Sequence, residues 1–264
     1  MSNPATAAFD SAVGARSAAR RGLRALAGGA ARILRSSLPQ TCTLCAANAG
    51  DALICAACAA ALPRLPAVCP VCALPVAGAH ICGACLNRPP PFAATVAAFV
   101  YAFPIDRLVQ QMKYRGRLSL AEWAAAELAS AVLPALHAVD PVQRPELIVA
   151  LPLGSARQRE RGFNQAREIA ARVAARLRLP FSARTLERIT VGPPQAALPW
   201  SSRAKNIRGA FACRDELRGS RIALVDDVMT TGATLTEAAK TLRRAGAARV
   251  ECWVLARTFP PVRR

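Results

Sequence analysis

The run Ile222-Ala-Leu-Val-Asp-Asp-Val-Met-Thr-Thr-Gly-Ala-Thr234 constrains this chain more than any other stretch. Four apolar residues, Ile222 to Val225, are too few for a helix core and suit a strand buried on both faces, as in a parallel sheet. The turn Thr230-Thr-Gly-Ala-Thr234 is small and hydroxyl-rich, and an amphipathic helix is predicted to follow from about Leu235 to Ala245. Backbone N–H groups at such a helix start converge on one spot, where the dipole favours an anion. Asp226 and Asp227 fall at the carboxyl end of the strand, where open α/β sheets bind ligands. A phosphate beside them repels two carboxylates. Their expected work is to accept hydrogen bonds from sugar hydroxyls, with a divalent cation offsetting the charge. The ligand this predicts combines phosphate, ribose and metal. No Gly-x4-Gly-Lys-Ser/Thr and no Gly-x-Gly-x-x-Gly is present, which sets aside a P-loop and a dinucleotide fold. The plainer alternative is a buried strand with a Thr/Gly turn and a capping aspartate.

A second constraint lies upstream. Cys42-x2-Cys45-x9-Cys55-x2-Cys58 recurs as Cys69-x2-Cys72-x9-Cys82-x2-Cys85, every position displaced by 27 residues. Paired thiol knuckles at this spacing are the way four thiolates hold zinc in a closed tetrahedron, so two structural ions are expected, with no open coordination position for catalysis. No secretory signal precedes them, which favours metal over disulfides and a reducing, cytoplasmic setting. Spacing leaves open whether each repeat closes on its own ion or pairs with its neighbour. Contiguous closure needs less loop entropy and is the expected arrangement. His80 is expected to stay solvated, and Cys213 and Cys252 to be ordinary buried or half-buried residues.

Between these landmarks the chain reads as alternating strands and helices. Pro89-Pro-Pro91 punctuates a boundary. Expected elements are a strand over 94–101, a helix starting at Ile105, a helix over about 120–133 that Pro134 should end or kink, and a strong strand over 147–153. Lys113 ends a helix in the basic turn Lys113-Tyr-Arg-Gly-Arg117, as a dipole partner or as an anion ligand in the cleft. Gly154 and Ser155 turn off the end of that strand. Arg157, Arg159 and Arg161 follow in a loop that either is solvated or binds a diphosphate or a nucleic-acid backbone. A helix over about 164–177 and a strand over 184–189 come next. The polar stretch 190–209, with Arg203, reads as a functional lid. A last strand over 249–256 completes the sheet, with Arg257 at its functional end.

The formal net charge of +19 points to a polyanionic partner, although lysine stands only at 113, 205 and 240 and the excess is almost all arginine. Few aromatics argue against a long base-stacking platform. No apolar run reaches the roughly 18 residues of a membrane helix, so no span is expected. Residues 1–38, with six arginines from Arg16 to Arg35 against Asp10, read as a basic arm, either poorly ordered or a short helix on nucleic acid or on the domain.

The run Ile222 to Thr234 resembles the phosphoribosyl diphosphate (PRPP) motif of type I phosphoribosyltransferases. Together with the doubled cysteine pattern, Arg159-Glu-Arg-Gly-Phe-Asn-Gln165, Pro194-Gln195 and Arg203-x-x-Asn206-x-x-Gly-Ala-Phe211, it resembles the ComF family, associated with natural competence. The resemblance implies a double zinc ribbon over 39–88 and a parallel-sheet α/β domain of the type I phosphoribosyltransferase kind over 92–264. It implies Asp226 and Asp227 as the ribose-hydroxyl and metal-linked pair, Thr230, Thr231, Gly232, Ala233 and Thr234 as the 5′-phosphate loop, and the turn at Leu153 and Gly154 as the pyrophosphate loop. PRPP with Mg2+, single-stranded DNA and DNA-uptake proteins are the partners it implies. Two readings of activity stand: phosphoribosyl transfer to an unidentified acceptor, with the aspartates at the catalytic centre, or a non-enzymatic single-stranded-DNA adaptor with a vestigial or sensory PRPP site.

Overall fold

The computed structural model describes residues 40–189 and 207–260. The basic arm over 1–38 therefore lies outside the described residues. The chain divides into two compact units, Met1–Ala61 and Leu62–Arg264, a division that falls between the two cysteine repeats.

In the first unit the described residues form one small ribbon. Its hydrogen bonds close locally, Gln40 N to Gly50 O at 2.9 Å and Cys42 N to Ala47 O at 2.7 Å, and the short helix α1 (Ala56–Ala60) ends it.

The second unit opens with the second ribbon, which ends in helix α2 (Gly83–Asn87), and continues into an α/β domain. Strand β1 (Ala94–Val100) leads to helices α3 (Ile105–Arg115) and α4 (Leu118–His137). Strand β2 (Leu147–Ala150) is followed by α5 (Ser155–Arg161) and α6 (Gln165–Leu177). Then come β3 (Phe181–Ser182), β4 (Leu186–Arg188), β5 (Phe211–Cys213), β6 (Arg221–Met229), α7 (Ala233–Arg244) and β7 (Arg249–Arg257). Five strands form an all-parallel sheet in the order β1-β7-β6-β2-β3, and β4 pairs with β5 as a separate antiparallel ribbon.

Alternation along the strands sets the two faces of the sheet. Ile222 and Leu224 of β6, with Val250, Cys252 and Val254 of β7, join Leu235, Ala238, Ala239 and Leu242 of α7 and Phe211 of β5 in one core. The intervening residues face the other way, toward α4 and α6, which pack on each other and on the sheet. Phe99 of β1 stacks on Trp123 of α4 with centroids 5.7 Å apart. Continuous apolar runs in β6 and β7 follow from having helices on both faces.

Several details differ from the sequence expectations. Strand β2 ends at Ala150, three residues short of the expected end at 153. Helix α4 runs on past Pro134 to His137, because Pro134 sits exposed in its last turn, where the missing N–H falls beside solvent. Strand β6 extends through both aspartates to Met229, since its pairing with β7 continues to the register Met229 with Arg257. The arginines at 157, 159 and 161 lie on a helix, α5, and not in a loop. Residues 184–189 do not join the main sheet; Phe181–Ser182 takes that edge, and only Leu186–Arg188 is strand, paired with β5. His80 is exposed, Cys213 half-buried and Cys252 buried, as expected.

Candidate functional site

Connections leave β2 toward β3 on one side and β6 toward β7 on the other, so the strand order reverses between β6 and β2. In an open α/β sheet that is where a crevice forms at the carboxyl ends of the strands. A cavity of about 440 Å3 lies there. It is lined by the ends of β2 and β6, by Lys113 and Tyr114 of α3, Arg157 and Arg161 of α5, Gln165 of α6, Arg188 of β4, and the loop entering α7.

The acidic side of this cavity is Asp226 and Asp227. The Asp227 amide donates to Asp226 Oδ1 at 2.8 Å, and Asp227 Oδ2 forms a 2.8 Å ion pair with Lys113 Nζ. Burial, then the Asp227 charge, push the Asp226 carboxyl well above the ordinary carboxylate range. Burial works against the Lys113 charge, but Asp227 outweighs it and raises the amine, keeping it protonated. Lys113 thus enters the cavity, but on the carboxylates and not on an anion seat.

A tight turn follows this pair where β6 ends and α7 begins. Gly232 has φ +80°, a backbone conformation that strains any residue with a Cβ, and a Cβ there would also push on Met229 Cε at 2.6 Å. Thr231 Oγ1 accepts from Ala233 N at 3.2 Å, and α7 begins at Ala233. Thr230, Thr231, Ala233 and Thr234 all line the cavity. The arrangement joins a helix start, its dipole end and hydroxyls around one point.

The third wall is basic. Asn164 caps α6 through Ala166 N and donates from Nδ2 to Leu151 O at 2.9 Å, which ties the turn after β2 to that helix. Leu153 lines the cavity, and Gly154, the residue before α5, lies against Arg188, whose Cδ and Nε are 3.5 Å from where a Cβ would stand. Burial and the charge of Arg157 lower the Arg188 guanidinium from its usual value. Among the described residues neither Arg157 nor Arg188 has a carboxylate partner, so two guanidiniums repel each other where an anion would relieve both. Arg161 Nη1 donates to Gln165 Oε1 at 3.3 Å and its guanidinium covers Tyr114 at 5.2 Å, while Arg161 Nε and Gln165 Nε2 stay without partners. Buried donors without acceptors fit a ligand rich in oxygen.

The cavity therefore gathers Asp226, Asp227, the 230–234 loop, Leu153, Lys113, Arg157 and Arg161 from the sequence candidates. Arg159 is exposed on the outer side of α5 and does not line it, and Arg203, with residues 190–206, lies outside the described residues. The end of the expected lid is core: Ile207 is buried, and Gly209 N donates to Glu237 Oε1 at 2.9 Å. Sequence reasoning missed Tyr114, Gln165 and Arg188. For Arg188 the available signal was an arginine one residue before a strand end that leads into the polar stretch.

The eight cysteines form two clusters, Cys42/Cys45/Cys55/Cys58 and Cys69/Cys72/Cys82/Cys85, each with its four sulfurs within 4.8 Å of one another. Each repeat thus closes on itself. Burial alone would raise the Cys42 thiol, but amides of Cys55, Cys45 and Leu44 outweigh it and bring it to about 6; amides of Cys82, Cys72 and Val71 do the same for Cys69, also to about 6. Cys58, hydrogen-bonded to the Cys45 and Cys55 thiols, is pushed up to about 12. Four converging sulfurs with amide donors on one of them suit a dication with thiolate ligands, and the clusters are consistent with two structural zinc sites.

The fold and these sites define a class. A phosphoribosyl transferase domain matches residues 162–259 and a double zinc ribbon domain matches 33–86. The DNA utilization protein YhgH of Salmonella typhimurium is 36% identical over 174 residues, covering 66% of this chain and 76% of that protein. Competence protein F of Haemophilus influenzae is 32% identical over 175 residues, covering 65% and 76%. The chain belongs to this competence protein F (ComF) family. Among solved structures, a purine phosphoribosyltransferase from Pyrococcus horikoshii Ot3 overlaps 62% of this chain and 85% of its own at 15% identity, with a TM-score of 0.32, a likeness too shallow to carry an argument.

Proposed function

We propose that the cavity binds PRPP with Mg2+ and that the protein transfers the phosphoribosyl group to an acceptor in the handling of DNA taken up by the cell, in the cytoplasm with DNA-uptake proteins. One observation carries this reading: an acidic pair, a helix-start phosphate seat and an uncompensated arginine pair border a single cavity at the switch point of a parallel sheet. The amides of the 230–234 loop take the 5′-phosphate, Asp226 and Asp227 accept the ribose hydroxyls, and Arg157 and Arg188 with the turn at Leu153 and Gly154 take the diphosphate. As the bond from ribose to diphosphate breaks, the guanidiniums neutralise the leaving oxygens where they already stand. Asp226 and Asp227 would hold Mg2+, which would offset the negative charge of the departing diphosphate. Arg161 and Tyr114 border the side left for the acceptor.

The net charge of +19 and the relatives' names support single-stranded DNA as a second ligand, and with it the alternative of a non-enzymatic DNA-binding adaptor in which the PRPP site is a sensor or a relic.

Titration calorimetry with PRPP and Mg2+ tests the site. Wild type is expected to bind, and Asp226→Asn/Asp227→Asn to lose binding. Heat equal in the two proteins, or absent from wild type, sinks the substrate reading and leaves the adaptor. The same chemistry gives a stability signature. Asp226 has a folded pKa above its unfolded one, so the folded state binds more protons between those values. Stability of the ligand-free protein therefore falls as pH rises through that window, and the full penalty persists above it. Asp226→Asn is expected to raise the neutral-pH melting temperature of the ligand-free protein; a lower one contradicts the assignment of strain to this carboxyl.

A further inference from the structure

Arg257, the last residue of β7, is 3% exposed. Its Nε donates to the carbonyl of Cys72 at 2.9 Å. Its Nη1 donates to the carbonyls of Met229 at 3.0 Å and Thr258 at 2.9 Å, and to that of Thr230. One guanidinium thus joins a sulfur-ligand residue of the second cluster to the end of β6 and the first residue of the phosphate loop. Among the described residues no carboxylate pairs with it. A buried guanidinium keeps its charge and needs a counter-charge nearby. Four thiolates outweigh one dication, so a metal-loaded second cluster is net negative and supplies it.

The hydrogen bonds also set direction. In a trans peptide the N–H lies opposite the C=O of the same unit. Holding the Met229 and Thr230 carbonyls toward Arg257 turns the Thr230 and Thr231 amides the other way, and both residues line the cavity. Met229 in turn fills the space beneath Gly232. The cysteine knuckle is fixed from a second side: Thr95 of β1 donates from Oγ1 to Val71 O at 2.7 Å and from its amide to Pro70 O at 2.9 Å.

We propose that Arg257 is a positioning residue that couples metal occupancy of the Cys69/Cys72/Cys82/Cys85 cluster to the anion-binding geometry of the 230–234 loop. This rests on the reading of that loop as a phosphate seat. Loading the second cluster holds the loop amides in place, and an anion on the loop holds the cluster closed, because such coupling is reciprocal.

The experiment follows zinc release from the full-length, zinc-loaded protein into excess 4-(2-pyridylazo)resorcinol. A Cys45→Ser/Cys58→Ser variant identifies which of the two phases belongs to the second cluster. In Arg257→Met that phase is expected to accelerate about tenfold, the effect usual for a residue that supports a metal ligand, with the other phase unchanged. Arg257→Lys, which keeps the charge and loses the fork, should fall between. In wild type, Mg2+ and PRPP should slow the second-cluster phase about fivefold, and in Arg257→Met they should not. Wild-type rates in a folded Arg257→Met, or equal acceleration of both phases as a general loss of structure gives, overturn the proposal. PRPP that binds by calorimetry yet leaves both phases unchanged also overturns it. Absence of PRPP binding to wild type sinks the substrate reading alone, and the zinc phases of the Arg257 variants then decide this one. Should Arg257→Met fail to fold, Arg257→Lys and the wild-type arm decide.

Discussion

The two cysteine ribbons are nearly the same object locally and quite different objects in their surroundings. Each has an amide on the first sulfur, Cys55 N to Cys42 Sγ at 3.4 Å and Cys82 N to Cys69 Sγ at 3.3 Å. The turn bonds repeat as Ala46 N to Cys42 O at 2.9 Å and Ala73 N to Cys69 O at 2.8 Å, and the isolated bridges Thr41 with Asn48 and Val68 with Pro75 keep the same offset. Yet Cys45 is exposed and its counterpart Cys72 half-buried, and Val71 packs against the sheet core while the Cys69–Cys72 knuckle of the second ribbon hangs on Thr95 and Arg257. Identical spacing builds identical metal cages; what differs is whether the cage is also a part of the α/β domain. The second ribbon is a brace for strands β1 and β7, and the first closes through its own turns.

Metal removal one cluster at a time should separate the two most widely. Cys69→Ser and Cys42→Ser should each lose one of two zinc equivalents by elemental analysis. Only Cys69→Ser should lower the main calorimetric transition strongly: metal loss in a buried site costs on the order of 4 kcal/mol, and roughly 2–4 °C accompany each kcal/mol in a domain of this size, so about 10 °C is expected. Equal shifts in the two variants would erase the distinction. A smaller effect should follow from Thr95→Val, which is nearly isosteric and leaves the Val71 carbonyl unmet. The expected loss is about 1–2 kcal/mol in urea unfolding. Thr43→Val in the first ribbon replaces a hydroxyl that makes no hydrogen bond among the described residues and should stay within about 0.5 kcal/mol. A Thr43 effect as large as that of Thr95 would show that the knuckle bonds to the sheet carry no special weight.

How much of this was legible in the sequence follows the same division between local and distant. The cages were readable because thiol spacing is a local rule, and so were the acidic pair and the 230–234 turn, since strand, acid and helix start lie within 13 consecutive residues. The brace was not. Arg257 could be placed at the functional end of its strand, but its role depends on the register that sets Met229 beside it and on a cysteine 185 residues away. Arg188 was hidden for a related reason: a three-residue strand makes a weak periodic signal, and only the fold lays its guanidinium on Gly154. Pro134 misled because a helix-breaking residue matters less in an exposed last turn than in a buried interior.

The finest test of the comparison uses the one backbone feature the ribbons share most closely. Ala46 and Ala73 both sit in the left-handed region, at φ 60° and φ 54°. That conformation strains a residue with a Cβ, and glycine at such a position recovers about 0.5–1 kcal/mol. Ala46 is exposed, so Ala46→Gly should gain that amount, read as a slower release of the first zinc and a higher melting point of the first ribbon. Ala73 is fully buried, at 0% exposed. Its methyl is worth about 0.8 kcal/mol in the core, which offsets the relief, and Ala73→Gly should come out near neutral. The same substitution at equivalent positions then differs by the burial of a single carbon. If both variants gained equally, the second ribbon's contact with the sheet would be a matter of proximity without packing, and its role as a brace would rest on Arg257 and Thr95 alone.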